Sequence, residues 1–248
     1  MILLKSSLEI ERMKTSCQIV AETLELLRQR IQPGVTTLAL DRFAESHARK
    51  SKAEPAFKGY SGYPFSLCCS VNNQVVHGFP TNKELEPGDI LSIDFGVVLA
   101  GFYGDAAITV PIGPVGKSAE NLIKITEEAL YKGIEKATVA NNLSDISAAV
   151  QKHAEGSGFS VVREFVGHGI GRSLHESPQV PNFGKPGRGV KLKQGMVLAI
   201  EPMINEKGHE VKVLADGWTA VTLDGGLSAH FEHTVAITDN GPLILTAI

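Results

Sequence analysis

The sequence predicts an α+β fold made of two related halves, and three observations predict it. First, Leu85-Glu86-Pro87-Gly88-Asp89-Ile90-Leu91-Ser92-Ile93-Asp94 is echoed 107 positions later by Leu192-Lys193-Gln194-Gly195-Met196-Val197-Leu198-Ala199-Ile200-Glu201. Both read as Leu, two residues, Gly, then an apolar strand ending in Ile and an acid, which implies an internal duplication. Second, Ile90–Val98 and Phe102–Val110 are apolar runs separated by Leu99-Ala100-Gly101, the pattern of a β-hairpin. Third, each half opens with two amphipathic helical stretches before its strands, an order that suits sheet strands meeting centrally under helices.

The elements follow in chain order. Ser6-Ser7-Leu8-Glu9 has the form of a capping box, and Ile10, Met13, Cys17, Val20, Leu24 and Leu27 then recur at helical spacing until Pro33-Gly34. Thr36 or Thr37 caps a second helix with Leu40, Phe43, Ala44 and His47 on one face; His47 reads as a surface or packing residue. Gly59–Pro64 is a turn-rich aromatic loop, and Leu67–Val71 with Gln74–Val76 reads as a hairpin around Asn72-Asn73, followed by His77-Gly78.

After Gly113-Pro114, Ser118 is placed to cap a helix carrying Leu122, Ile125, Ala129 and Leu130, and Asn141–Ser144 leads into Ile146, Ala149, Val150 and His153. Gly167-His168-Gly169-Ile170-Gly171-Arg172-Ser173-Leu174-His175 is a glycine-rich segment. Its two histidines would face opposite ways in a regular strand, but the glycines let the chain bend so that both face one cavity. Asn182–Val190 reads as an exposed loop, and the last alternating strand, from His230 to Ile237, puts His230, Glu232, Thr234 and Ala236 on one face.

The hairpin carries the chemistry. A two-residue turn at Leu99-Ala100 sets Asp94 directly across from Asp105, and any register in which paired numbers sum to an odd value keeps both on one face. Two carboxylates amid apolar residues require either that one be protonated or that a cation sit between them. Glu201 and Glu232 also sit on apolar strands, and with His168 they make an oxygen-rich set of four carboxylates and one imidazole. Such a set suits two divalent ions, and manganese, iron or cobalt rather than a structural zinc. A dinuclear site can acidify a bridging water and polarise a carbonyl, which is the chemistry of hydrolysis.

Composition excludes other classes. The 248 residues carry 43% hydrophobic and 21% charged residues with a net charge of −3, which gives no reason to expect nucleic acid or an anionic membrane as partner. Three cysteines, two of them adjacent, make no disulfide framework. The charged N-terminal stretch lacks a signal-peptide core and no run of 18 apolar residues occurs, so the cytoplasm is expected. There is no H-E-x-x-H, no Gly-x-Ser-x-Gly and no phosphate loop. A glycosidase pair would leave two of the four acids and His168 without a role.

Taken together, Val76-His77-Gly78, Ser92-Ile93-Asp94, Gly104-Asp105, Gly167–Gly171, Leu174-His175-Glu176, Ile200-Glu201-Pro202-Met203 and Phe231-Glu232-His233-Thr234 resemble the type I methionine aminopeptidases over nearly the full length, in a minimal bacterial-like form. The resemblance implies the pseudo-twofold pita-bread fold shared by creatinase and aminopeptidases, with a central curved antiparallel sheet covered by helices. One domain, residues 1–248, would contain internal halves of about 1–112 and 113–248. It further implies two divalent ions per chain (manganese, iron, cobalt or zinc). Asp94, Asp105 and Glu232 would hold one, and His168 and Glu201 the other, with Asp105 and Glu232 bridging.

By the same resemblance Glu201 is the general base, His175 stabilises the tetrahedral intermediate, and His77 holds the substrate amide beyond the scissile bond. The substrate's amine lies near Asp94, and Phe57, Tyr60, Tyr63, Cys68, Leu174 and Trp218 form the methionine pocket. The implied partners are the N-termini of nascent polypeptides, met at the ribosome exit region by a monomer. Two alternatives remain at this point: an X-Pro peptidase of the same fold, and a non-catalytic peptide-binding relative.

Overall fold

The computed structural model describes residues 1–247. The first helix, α1 (Ser7–Arg28), starts at the capping box read from the sequence: the Ser6 hydroxyl accepts from Glu9 N–H and the Glu9 carboxylate accepts from Ser6 N–H. Thr36 caps α2 (Thr37–Lys50). Short strands follow: β1 (Glu54–Pro55), β2 (Cys68–Val71) and β3 (Gln74–Val76), then the long pair β4 (Ile90–Leu99) and β5 (Phe102–Pro111).

The second half repeats the order. Helices α3 (Lys117–Ile134) and α4 (Leu143–Gly156) precede β6 (Ser160–Val161), β7 (Gly167–Gly169), β8 (Glu176–Val180), β9 (Val197–Ile200) and β10 (Met203–Asn205). After these come β11 (Val211–Val213), β12 (Ala220–Thr222), β13 (Ser228–His230), β14 (Glu232–Thr238) and β15 (Gly241–Ile244). No described helix is long and apolar enough to cross a membrane.

Nine strands make one antiparallel sheet in the order β1-β4-β5-β14-β9-β7-β8, with β2 also paired to β4 and β15 to β14. The halves join where β14 pairs with β5 through Glu232↔Ala107 and His233↔Ala106. The duplication is visible in the backbone. Gly88 and Gly195 both take positive φ, 99° and 85°. The N–H of Gly88 donates to Ile112 and that of Gly195 to Ile237, while Ile112 N–H returns to Asp89 and Ile237 N–H to Met196. The repeated glycine is therefore a left-handed turn that each half needs before its apolar strand.

Alternation along the strands puts helices and acids on opposite faces. Leu91, Ile93, Phe95 and Val97 of β4 pack with Val20, Leu24 and Leu27 of α1 and Leu40 and Ala44 of α2. In the other half Leu198, Ile200, Val235 and Ile237 pack with Leu130, Ile134 and Ile146 of α3 and α4. Asp94, Asp105 and Glu232 occupy the intervening positions and so face away from the helices.

The structure differs from the sequence expectation at four places among its strands and helix caps. The β4–β5 turn is Ala100-Gly101, both at positive φ (50° and 79°), so Asp94 pairs with Ala107 and Asp105 with Gly96. A tight hairpin favours a glycine in its corner, and Gly101 moved the turn one residue along. Paired numbers still sum to an odd value, so the two acids lie diagonally on one face. β2 and β3 do not form a ladder together: β2 pairs with β4 and β3 with β12, and the Asn72 side chain bonds Asp89 and the Ile90 N–H instead of closing a hairpin. Gly116, not Ser118, caps α3; Ser118 lies inside the first turn and donates to Glu206. The strand from His230 is broken at Phe231, which sends β13 to a separate sheet with β10 and β6.

Candidate metal centre

The face of the sheet opposite the helices holds a cavity of about 280 Å³ lined by Asp94, Asp105, His168, Glu201 and Glu232. Each comes from a different place in the chain: β4, β5, β7, the residue after β9, and the first residue of β14. Among the described residues, Asp105, His168 and Glu232 bring one ligand atom each within 4.8 Å of one another. Glu201 Oε1 lies 3.5 Å from His168 Nε2 at one end of this triplet, and the charge of Asp94 acts on Asp105 at the other.

The electrostatics are those of an acid cluster out of water. Burial pushes the Asp94 carboxyl up to about 7, with the Glu201 charge adding to it. Asp105, Glu201 and Glu232 are pushed well above the usual carboxylate range, by burial first and, for Asp105 and Glu232, by neighbouring acids next. Burial also lowers His168 to about 3, so its contact with Glu201 is that of a neutral imidazole and not an ion pair.

The residues fit divalent cations. Asp94 Oδ1, Asp105 Oδ1 and Glu232 Oε1 are buried without a hydrogen-bond partner, which a protein tolerates where another ligand satisfies them. His168 Nδ1 lies 2.9 Å from the Gly169 carbonyl oxygen, so Nδ1–H donates there and leaves Nε2 as a bare lone pair facing the acids. Oxygen donors with one imidazole are a hard-to-borderline set, suited to manganese, iron, cobalt or zinc.

The other residues singled out in the sequence line the same cavity: Phe57, Tyr60, Tyr63, Cys68, His77, Leu174, His175 and Trp218. Cys68 sits across from Asp94 in the β2–β4 ladder, which sets the apolar wall beside the acid cluster. Tyr63 is buried against Trp218 and Phe79, with ring centroids 5.1 Å and 5.4 Å away, and its hydroxyl donates to the Gly78 carbonyl at 3.0 Å. That bond holds the turn bearing His77, which takes a positive φ of 60° and stacks edge-on against Phe165 and Trp218. Burial lowers His77 to about 4.

Tyr60 is a rim residue, 40% exposed, and its hydroxyl lies 2.7 Å from His175 Nδ1. The two histidines of the glycine-rich segment meet, their rings 4.3 Å apart. This is possible because the segment leaves its strand after Gly169, with a register shift between His168 and Gly169.

Three functional positions escaped the sequence. His230 is 1% exposed with Nε2 unpartnered and 3.7 Å from Glu201 Oε2; its place on the Glu232 face was the available signal. Phe165 and Met203 complete the apolar wall; Phe165 carries no signal of its own, and Met203 reads only as the end of the Ile200–Met203 motif. Asn182, expected in an exposed loop, is buried and donates to the Glu201 carbonyl.

Comparison with known proteins agrees with this geometry. Residues 11–239 match the sequence model of metallopeptidase family M24. The chain is 60% identical to a methionine aminopeptidase of Clostridium perfringens, with both chains covered in full, and 50% identical to methionine aminopeptidase 1 of Bacillus subtilis, again in full. It superposes on the crystal structure of methionine aminopeptidase from Thermotoga maritima with a TM-score of 0.98 at 47% identity, covering 100% of each chain. The prolidase from Pyrococcus furiosus shares the fold at 23% identity with a TM-score of 0.81, and the chain spans 65% of its length.

Proposed function

The chain belongs to metallopeptidase family M24, and from that premise we propose that it removes the N-terminal methionine from polypeptides whose second residue is small. The observation that carries the reading is the juxtaposition of five ligand side chains from both halves with an apolar, aromatic cavity wall. Residues 1–112 and 113–248 act here as one metallo-aminopeptidase domain, since neither half holds the whole ligand set.

Two divalent ions would be held by this cluster, one by Asp94 and one by His168 and Glu201, with Asp105 and Glu232 contributing to both. When bound, such ions supply a Lewis acid for the scissile carbonyl and bring a water's pKa near neutrality. The remaining work falls to the chain's own side chains. The thioether of methionine, flexible and polarisable, rests against Phe57, Tyr63, Cys68, Leu174 and Trp218. The free amine faces the Asp94 end of the acid cluster. His77, held neutral by burial, hydrogen-bonds the amide beyond the scissile bond.

Glu201 receives the proton from the attacking water, the task of a general base. His175, whose pKa partial desolvation lowers, donates from Nε2 to the oxygen on which charge develops. The substrates proposed are nascent chains met near the ribosome exit by a monomer in the cytoplasm.

Assay of a Met-Gly peptide against an X-Pro peptide, with the metal-loaded protein, tests the reading. Release of free methionine from the first and no cleavage of the second is expected. Cleavage of X-Pro alone would assign the chain to the prolidase chemistry of its fold neighbours, and no cleavage of either would leave a binding protein.

A further inference from the structure

Beside the catalytic face, the Lys5 ammonium and the Glu176 carboxylate form a buried ion pair, their side chains 5% and 6% exposed. Glu176 follows His175 directly, and its carboxylate is shared between two tasks. Oε2 accepts from Lys5 Nζ, while Oε1 accepts from the backbone N–H groups of Arg172 at 2.8 Å and Ser173 at 3.2 Å. The carboxylate thus ties together the turn that presents Leu174 and His175 to the cavity.

Lys5 is itself fixed from the other side. Its N–H donates to the Gly195 carbonyl at 2.7 Å, and its ammonium also donates to the Leu3 carbonyl at 3.1 Å. A Cβ on Gly171 would collide with the Lys5 stem and meet Glu176 Oε1, so the last glycine of the glycine-rich segment is what lets the lysine pass. The duplicated Gly195 turn, which leads into the Glu201 strand, is therefore coupled through Lys5 and Glu176 to the His175 turn.

We propose that the Lys5–Glu176 pair is a positioning device for the methionine-releasing reaction, fixing the Arg172–His175 turn so that His175 meets the developing negative charge. The inference rests on the role given to His175 above. A buried carboxylate that loses its only countercharge either takes up a proton or moves toward water. In both cases the two backbone N–H groups lose part of their acceptor. A displacement of His175 by an ångström is enough to lower the rate about a hundredfold, because catalysis depends on the donor's position.

The test is a double-mutant cycle on the metal-loaded full chain with a Met-Ala-Ser peptide, using Lys5→Met, His175→Ala and the combination. Lys5→Met is expected to lower kcat at least about tenfold with KM within about threefold, and to have no further effect on kcat in the His175→Ala background. Lys5→Arg, which keeps the countercharge, is expected to recover most of the loss. Gly171→Ala, which leaves both charges in place, is expected to reproduce the kcat loss by pushing them apart. Equal factors from Lys5→Met in both backgrounds, or an arginine variant no better than the methionine one, would overturn the proposal. An unchanged kcat in His175→Ala would instead remove the role of His175 on which it rests.

Discussion

The Tyr60 hydroxyl and His175 Nδ1 lie 2.7 Å apart, and partial desolvation lowers the imidazole pKa. If the phenol donates to Nδ1, the single ring proton resides on Nε2, the nitrogen free to act as an oxyanion donor. Tyr60→Phe is expected to lower kcat about three- to tenfold by letting the other tautomer compete, a loss of roughly 0.6–1.4 kcal/mol in transition-state stabilisation. Steady-state kinetics on a Met-Ala-Ser peptide check this, and a KM that changes while kcat does not would make Tyr60 a simple pocket wall.

Tyr63 supports the facing histidine. Tyr63→Phe removes the donor to the Gly78 carbonyl, which also accepts from Cys69 N–H at 2.8 Å and so is not left bare. A stability loss of about 1 kcal/mol is expected by chemical denaturation, together with a drop in kcat/KM from loosening of the His77 turn.

The acid cluster makes the metal-free protein pH-sensitive in a definite direction. Asp94 is raised from 3.8 to about 7, and Asp105, Glu201 and Glu232 stand well above their ordinary values. Between the unfolded and folded pKa values the native state holds more protons than the unfolded chain, so stability falls as pH rises. The buried histidines act oppositely: His77, His168 and His233 are lowered from 6.5 to about 4, about 3 and about 4, His175 and His230 shift the same way, and together they mask the effect until their unfolded-state protons are lost. About a unit above 6.5 the unfolded imidazoles have lost their protons too, and the raised carboxyls set the sign. Thermal unfolding of the metal-free protein should therefore occur at progressively lower temperature as pH rises from about 7.5 toward 8. Saturating manganese should flatten that slope.

Asp105→Asn separates the two roles of the cluster. It removes a charge that is buried among Asp94, Glu201 and Glu232, so the metal-free variant is expected to be more stable than the parent at pH 8 by on the order of 1 kcal/mol. The same change is expected to abolish most metal binding in calorimetric titration and with it peptide hydrolysis. A variant that is less stable metal-free and still binds metal normally would contradict the arrangement.

The helices, the β4–β5 hairpin and the duplication were legible because each rests on a local pattern: the Ser6–Glu9 cap, the Ile93/Phe95 against Asp94 alternation, and the repeated glycine before a strand. The ligand residues were legible because an acid inside an apolar strand is costly wherever the chain goes. What the sequence hid was decided by distant partners. Val76 turned β3 toward Ala220 of β12, and Phe231 broke the last strand by donating to the Pro202 carbonyl. The link from Lys5 to Glu176 spans 171 positions and follows no periodic rule. His230 was readable as sharing the face of Glu232, but its approach to Glu201 depends on β13 leaving the main sheet.

Anomalous diffraction from crystals grown with manganese tests the central claim most directly. Two peaks are expected inside the cavity, both touched by Asp105 and Glu232, one also by Asp94 and the other by His168 and Glu201. Manganese located only outside the cavity, in crystals of protein that hydrolyses Met-Gly peptides, would contradict it.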